Sequence, residues 1–192
     1  NLRNEQIKRT RTDWILLLDG DEIWPKIAID ELMEKVSQAP KYISGIVVPV
    51  HVPLGDLFHY QDESAGKYRI LGKKGHYNLR AYKIKFGYHW QGIYPAEAYT
   101  NRSSTAIQDL SDKLVLLKNK YWHMTHLPRS LQDDHHKFKY EIGIRYTNKL
   151  PEVFYQDLPS FVPKPWVKFK WWQKIIALIL TPLLKLKRTF YV

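Results

Sequence analysis

Trp14-Ile15-Leu16-Leu17-Leu18-Asp19-Gly20-Asp21-Glu22 is the stretch on which the fold turns. The apolar run from Trp14 to Leu18 is long enough for a short buried strand, and it stops abruptly at three carboxylates around one glycine. In open α/β sheets, ligands collect just outside the carboxyl ends of parallel strands. An Asp-x-Asp at such an edge sets two hard oxygen donors close together. Magnesium or manganese is held in this way, by one or two carboxylates with substrate phosphates and water completing the shell. Two readings fit these residues alone: a metal–diphosphate site, or an acidic surface turn after a core strand.

Working outward, residues 1–12 read as a short helix with Ile7 toward the core, broken by Thr12 and Asp13. Trp24-Pro25 opens a second helix, with Pro25 at its first position and Ile27, Ile29, Leu32, Met33 and Val36 as its apolar face. Residues 43–52 form a second strand, in which Pro49 predicts an edge or a bulge. Residues 53–67 read as a loop over the acidic edge. Short strands are expected at 68–71 and 77–84, joined by a turn at Gly72-Lys73-Lys74-Gly75. That turn lacks the spacing and the following Ser/Thr of a Walker phosphate loop. Residues 86–99 are dense in aromatics and show neither period, and 101–112 read as a polar connection. A further strand is expected at 114–123, then a long polar helix from Leu127-Pro128-Arg129-Ser130 to about Lys149, stopped by Pro151.

A length of 192 residues predicts one domain with an appendage, and 44% hydrophobic residues suffice for a core. The absence of cysteine excludes disulfides and thiolate metal sites and fits a reducing compartment. The net charge of +11 asks for an anionic partner: nucleic acid, anionic lipid or a phosphorylated substrate. Much of the excess sits in the tail, since Lys164 to Val192 holds seven Lys/Arg and no acid. Its apolar run, 175–180, is too short to span a bilayer core of about 30 Å. The flanking Lys and Trp fit a helix lying in the membrane interface, and a helix docked on the domain fits them as well.

Arg3-Asn4, the strand at 14–18 and Asp19-Gly20-Asp21-Glu22 together resemble family 2 glycosyltransferases of the GT-A fold, whose α/β sheet is Rossmann-like. In that family an Arg-Asn pair commonly opens the helix before the strand ending in Asp-x-Asp-Glu. Asn78-Leu79-Arg80, Trp90-Gln91-Gly92 and Pro95-Ala96-Glu97 resemble its acceptor-side segment, with Ala96 where relatives often carry His. Tyr121-Trp122-His123 is similar to the place where the family presents a third metal ligand. The resemblance runs from residue 1 to about 150. The family's opening nucleotide-binding strands have no counterpart in it. The expectation is therefore the later part of a GT-A domain over residues 1–160, with a basic, aromatic, amphipathic tail at 161–192.

The resemblance implies transfer of a sugar from a nucleotide-diphosphate donor to a hydroxyl acceptor, with inversion and with Mg²⁺ or Mn²⁺ as cofactor. It implies direct metal contact for Asp21 and a supporting place for Asp19, through the ribose or a metal-bound water. His123 or His126 would complete the shell. Arg3, Asn4, Asp19 and Arg80 would bind the donor, Arg80 and Arg129 as forks for phosphate. Glu97 would take the acceptor's proton as general base, and Trp90 and Tyr94 would stack on a sugar ring. Glu22 reads as an anchor for the turn, and Asp133-Asp134-His135-His136 as a solvated face.

Each group also has an ordinary reading: an ion pair for Glu97, structural roles for the imidazoles and arginines, core packing for the aromatics. Zinc is the rival metal, but the chain has no His-Glu-x-x-His and no thiolate. Assembly of cell-surface polysaccharide or lipopolysaccharide on the cytoplasmic face of the plasma membrane would account for the tail. Two rival functions use the same features. One is a basic nucleic-acid binder, although no nucleic-acid fold signature is present and none is expected as partner. The other is a metal-dependent phosphohydrolase acting on nucleotide sugars.

Overall fold

The computed structural model describes residues 2–66, 68–93, 96–127, 138–160 and 162–190. The chain passes through α1 (Leu2–Arg9), β1 (Trp14–Leu16), β2 (Glu22–Ile23) and α2 (Lys26–Gln38) to β3 (Gly45–His51). Short strands β4 (Pro53–Leu54), β5 (Asp56–Tyr60), β6 (Tyr68–Ile70) and β7 (Lys73–Gly75) lead to β8 (Tyr77–Lys83). Then come β9 (His89–Gln91), β10 (Ala98–Thr100), β11 (Leu114–Leu116), β12 (Tyr121–His123), β13 (Ile144–Arg145) and the helix α3 (Trp171–Phe190).

β3 is the axis of a mixed sheet ordered β1-β8-β3-β12-β2, with β11 also paired to β3. Its β-branched run is buried on both faces, as a central strand requires. Ile46, Val48 and Val50 pack with Leu32, Ala81 and Tyr121 on one side. Val47 packs with Leu79, Tyr82, Tyr99 and Leu114 on the other. Pro49 therefore lies in a central strand, against the edge expected from its missing donor, and the register shift falls at Ile46/Val47 instead. The Val50 N–H bonds back to His76 on the β8 side, so alternation turns the Pro49 nitrogen to the opposite side. There the ladder is interrupted: β11 pairs with Gly45 to Val47 and β12 with Val50 and His51. The proline sits where no donor is wanted. The same gap divides the single strand expected at 114–123 into two, both parallel to β3.

The strand at 14–18 is shorter and less buried than expected. Among the described residues β1 pairs only with β8, antiparallel, and Leu16 and Leu18 are exposed. Ile15 and Leu17 face the core and Trp14 packs on the opposite cluster. Of the stretch expected to be a loop, residues 53–66 are mainly the β4–β5 hairpin, to which β13 adds. Gly55 turns it at φ +75°, with the Phe169 ring where a Cβ would stand. Between β6 and β7 the turn is Leu71-Gly72, both at positive φ, so Lys73 to Gly75 are strand rather than turn. Residues 86–99 contain the β9–β10 hairpin. The helix expected after Leu127 is absent over 138–149, which is irregular apart from β13.

α2 begins one residue later than expected, with Pro25 as its cap. Its buried ridge is Ala28 and Leu32 with Val36 partly covered, whereas Ile27 and Met33 are about 60% exposed. Two contacts set this rotation. Trp24 stacks on Tyr121 at 4.7 Å, and the Glu31 carboxylate accepts the Lys118 and Asn119 backbone N–H groups at 2.9 Å each.

At the end of β3 the His51 ring is enclosed by Tyr60, Trp122 and Tyr146, and its Nδ1 is buried with no hydrogen-bond partner among the described residues. Burial, assisted by Lys120, pulls its pKa down from 6.5 to about 4. The unfolded chain thus takes up a proton that the folded chain refuses between those values. Stability falls as the pH drops through that window, by up to about 3 kcal/mol. His51→Phe is expected to flatten this slope in urea unfolding midpoints. An unchanged slope would show that His51 is not its source.

Candidate active site

β1 and β2 lie at opposite ends of the strand order, so the acidic turn between them must cross the end of the sheet. It crosses at the carboxyl ends of β3 and β12. The Glu22 N–H donates to the Asp19 carbonyl at 3.2 Å, and Met124 N–H donates to the Asp21 carbonyl at 2.8 Å. β2 then pairs with β12, setting Glu22 opposite His123.

Arg80, on β8, holds the turn from below. Its terminal nitrogen donates to Asp19 Oδ2 at 2.8 Å and to the Glu22 carboxylate, and its Nε donates to the Tyr121 hydroxyl at 3.2 Å. The Glu22 side chain has no solvent exposure and also accepts from Trp24 Nε1 at 3.0 Å. Burial raises the Glu22 pKa more than Arg80 lowers it. Burial alone would weaken the Arg80 charge, but Tyr121, Glu22 and Asp19 more than offset it and leave the cation firmly protonated. Burial likewise lifts the Tyr121 phenol above its ordinary range, with Arg80 opposing, so it serves as a neutral hydroxyl. Asn78 donates to the same hydroxyl.

Two further pairs complete the site. Asp21 Oδ1 lies 3.2 Å from His123 Nε2, both side chains mostly covered. Arg3 Nε lies 3.3 Å from Glu97 Oε2, with the guanidinium 4.6 Å above the Trp90 ring. Arg3, Asp19, Arg80, Glu97 and His123 line one cleft of about 510 Å³, and Asp21 adjoins it through His123. A larger cleft of about 660 Å³, among residues 154–166, has no comparable meeting of carboxylates, imidazole and guanidinium.

The remaining expected residues divide. The Asn4 amide donates to the Trp90 carbonyl at 2.9 Å and accepts its N–H at 2.7 Å, which fixes β9 to α1. Trp90 is 3% exposed and packed against Tyr82 and Tyr99, so it has no face for a sugar; its place is the core. His126 lies in the half-buried turn beyond β12. Tyr94, Arg129 and Asp133 to His136 lie outside the described residues. Tyr68, Arg69, Gln108 and Asp109 line the cleft without any sequence signal that singled them out. Tyr121 was legible: the strand period of two puts it on the face of His123.

Residues 1–102 match the family model described as Glycosyl transferase family 2. The chain is a family 2 glycosyltransferase. The match takes in Arg3, the acidic turn, Arg80 and Glu97 and ends before β12, so His123 lies beyond it. No curated protein and no solved structure matches the chain.

A glycosyltransferase of this family binds a nucleotide sugar and an acceptor, and the donor set of the cleft limits how a cation could enter. Among the described residues no three His, Cys, Asp or Glu side chains form a metal-holding group. Asp19 is engaged by Arg80, and Asp21 and His123 meet beside the cleft. A closed protein cage does not fit. A magnesium- or manganese-like ion, held by few side chains and completed by phosphate oxygens and water, does.

Because Glu22 is buried against Arg80, Arg80→Met is expected to cost about 3–5 kcal/mol by leaving a carboxylate enclosed without its cation. Adding Glu22→Gln should recover a large part of that loss. Equal urea midpoints for the single and double variants would show that the pair is not coupled.

Proposed function

We propose that this glycosyltransferase moves a sugar from a nucleotide-diphosphate donor to a hydroxyl acceptor, with inversion and with Mg²⁺ or Mn²⁺. The observation that carries the reading is the cleft itself: Asp19, Arg80, His123 and Glu97 line it together, and Asp21 adjoins it through His123. Asp21 and His123 would hold the cation, with His123 preferred to His126 because it touches Asp21. When bound, the cation draws charge from the departing diphosphate. Asp19, set by Arg80, would face the ribose or a metal-bound water. Arg80 adds a fixed positive charge beneath the diphosphate. Arg3 holds Glu97 in place, and Asn4 keeps α1 and β9 in register beneath it. Glu97 takes the proton of the acceptor hydroxyl as its oxygen attacks the anomeric carbon.

We read residues 1–160 as part of a GT-A domain and 161–192 as its tail. The acceptor is proposed to be a precursor of cell-surface polysaccharide or lipopolysaccharide on the cytoplasmic face of the membrane. The basic, apolar tail supports that placement.

The test is nucleoside diphosphate release from a panel of nucleotide sugars, with and without manganese and hydroxyl acceptors. Asp21→Asn should abolish manganese-dependent donor binding in calorimetry. Glu97→Gln should lower kcat by roughly 10²–10⁴-fold with little change in donor affinity. Acceptor-independent release of inorganic phosphate would favour the phosphohydrolase. Manganese-independent binding in the Asp21 variant and its parent alike would remove the metal from the scheme.

A further inference from the structure

α3 carries its two faces the wrong way round for a helix that merely completes a soluble core. The ridge that meets the domain is Gln173, Ala177 and Thr181, four residues apart and at most 9% exposed. Thr181 gives it a hydrogen bond to the domain: the Ile142 N–H donates to Thr181 Oγ1 at 2.7 Å. Two turns beyond the ridge, Arg188 donates twice to the buried Glu141 carboxylate, at 2.6 and 2.7 Å, and Gln61 donates to the same group at 2.9 Å. Burial would raise the Glu141 pKa, yet Arg188 and Gln61 hold it below the ordinary carboxylate range, so the clasp is an ion pair at neutral pH.

The apolar side chains point the other way. Trp171, Ile175, Ile179, Leu183, Leu186 and Phe190 are 48–77% exposed. At helical spacing they share an arc of roughly 120°. Lys174 and Lys185 border that arc on one side and Lys187 on the other, within about 60° of its edges. The stretch Lys164 to Val192 holds seven cations and no acid of its own, and of these Arg188 is taken up by Glu141. No helix among the described residues is long and apolar enough to cross a membrane.

An apolar strip edged only by cations matches one kind of surface well: an apolar layer beneath a sheet of anions. A second copy of the chain would set Lys174, Lys185 and Lys187 against the same cations, and nucleic acid offers nothing to the exposed leucines. We propose that α3 seats the enzyme flat on an anionic bilayer. Its apolar arc enters the boundary between headgroups and acyl chains, its lysines meet the lipid phosphates, and the Gln173–Ala177–Thr181 ridge stays on the domain. Docking on the domain and lying in the interface are then not alternatives, because each uses a different face. The proposal is independent of the transfer chemistry.

Flotation of the whole chain with vesicles tests it, using phosphatidylcholine alone and equal parts phosphatidylcholine and phosphatidylglycerol. Binding is expected only to the mixed vesicles and should weaken as salt rises. Lys174→Ala with Lys185→Ala should lower affinity roughly fivefold per lysine. Ile179→Glu with Leu183→Glu should lower it at least tenfold, with the thermal midpoint showing that the domain remains folded; both sites are exposed, so packing is spared. The lysine variant gives the reading should the glutamate pair unfold. No binding to the mixed vesicles overturns the proposal. So does undiminished binding by the folded glutamate variant. Loss of self-association in that variant, without vesicle binding in its parent, assigns the face to a second copy instead.

Discussion

A buried arginine is stable only when its bonds are met, and Arg80 meets that condition through Asp19, Glu22 and the Tyr121 hydroxyl. The cluster joins four pieces of chain: the acidic turn, β8, β12 and, through Trp24, the start of α2. The stacked Trp24–Tyr121 pair closes its open side. Most of the site inherits its geometry from this cluster. Arg80 pins the turn at Asp19 and at Glu22, and Asp21 lies between these two points.

The sheet decides where that turn lies. β3 supplies a buried axis, and its partners leave the carboxyl ends of β3 and β12 on one edge. The turn from β1 to β2 has to cross that edge. The two carboxylates consequently receive different neighbours: Asp19 meets a guanidinium, and Asp21 meets an imidazole. Chemically equivalent in the sequence, they are unequal in the fold, and the unequal pairing separates an orienting role from a metal-holding one. On the far wall, Asn4 and Arg3 work from one helix turn. The first secures the β9 backbone and the second meets Glu97.

The helices show the complementary lesson. α2 and α3 both expose apolar residues, and in each a carboxylate contact takes part in setting which face turns inward. Glu31 holds α2 by capping the backbone at 118–119, and the Glu141–Arg188 clasp holds α3. Hydrophobic periodicity measures how much apolar surface a helix carries. It does not register a carboxylate contact that decides which part of that surface faces inward.

The sequence by itself determined the family, through the Arg-Asn pair, the apolar run into Asp-Gly-Asp-Glu and the later Arg80 and Glu97 segments. These are local patterns, and a short strand ending in carboxylates is recognisable from its own residues. It also marked the tail as basic and amphipathic. Tertiary structure alone decided the central place of β3 despite Pro49, because only pairing on both sides reveals the gap that absorbs a missing donor. It alone moved Trp90 into the core and brought Tyr68, Arg69, Gln108 and Asp109 to the cleft. These residues are scattered through the chain, and their meeting depends on hairpin turns whose geometry no residue pattern announces. The partner of each carboxylate is likewise a long-range fact: Asp19 and Arg80 are sixty-one residues apart and touch only because β1 lies beside β8.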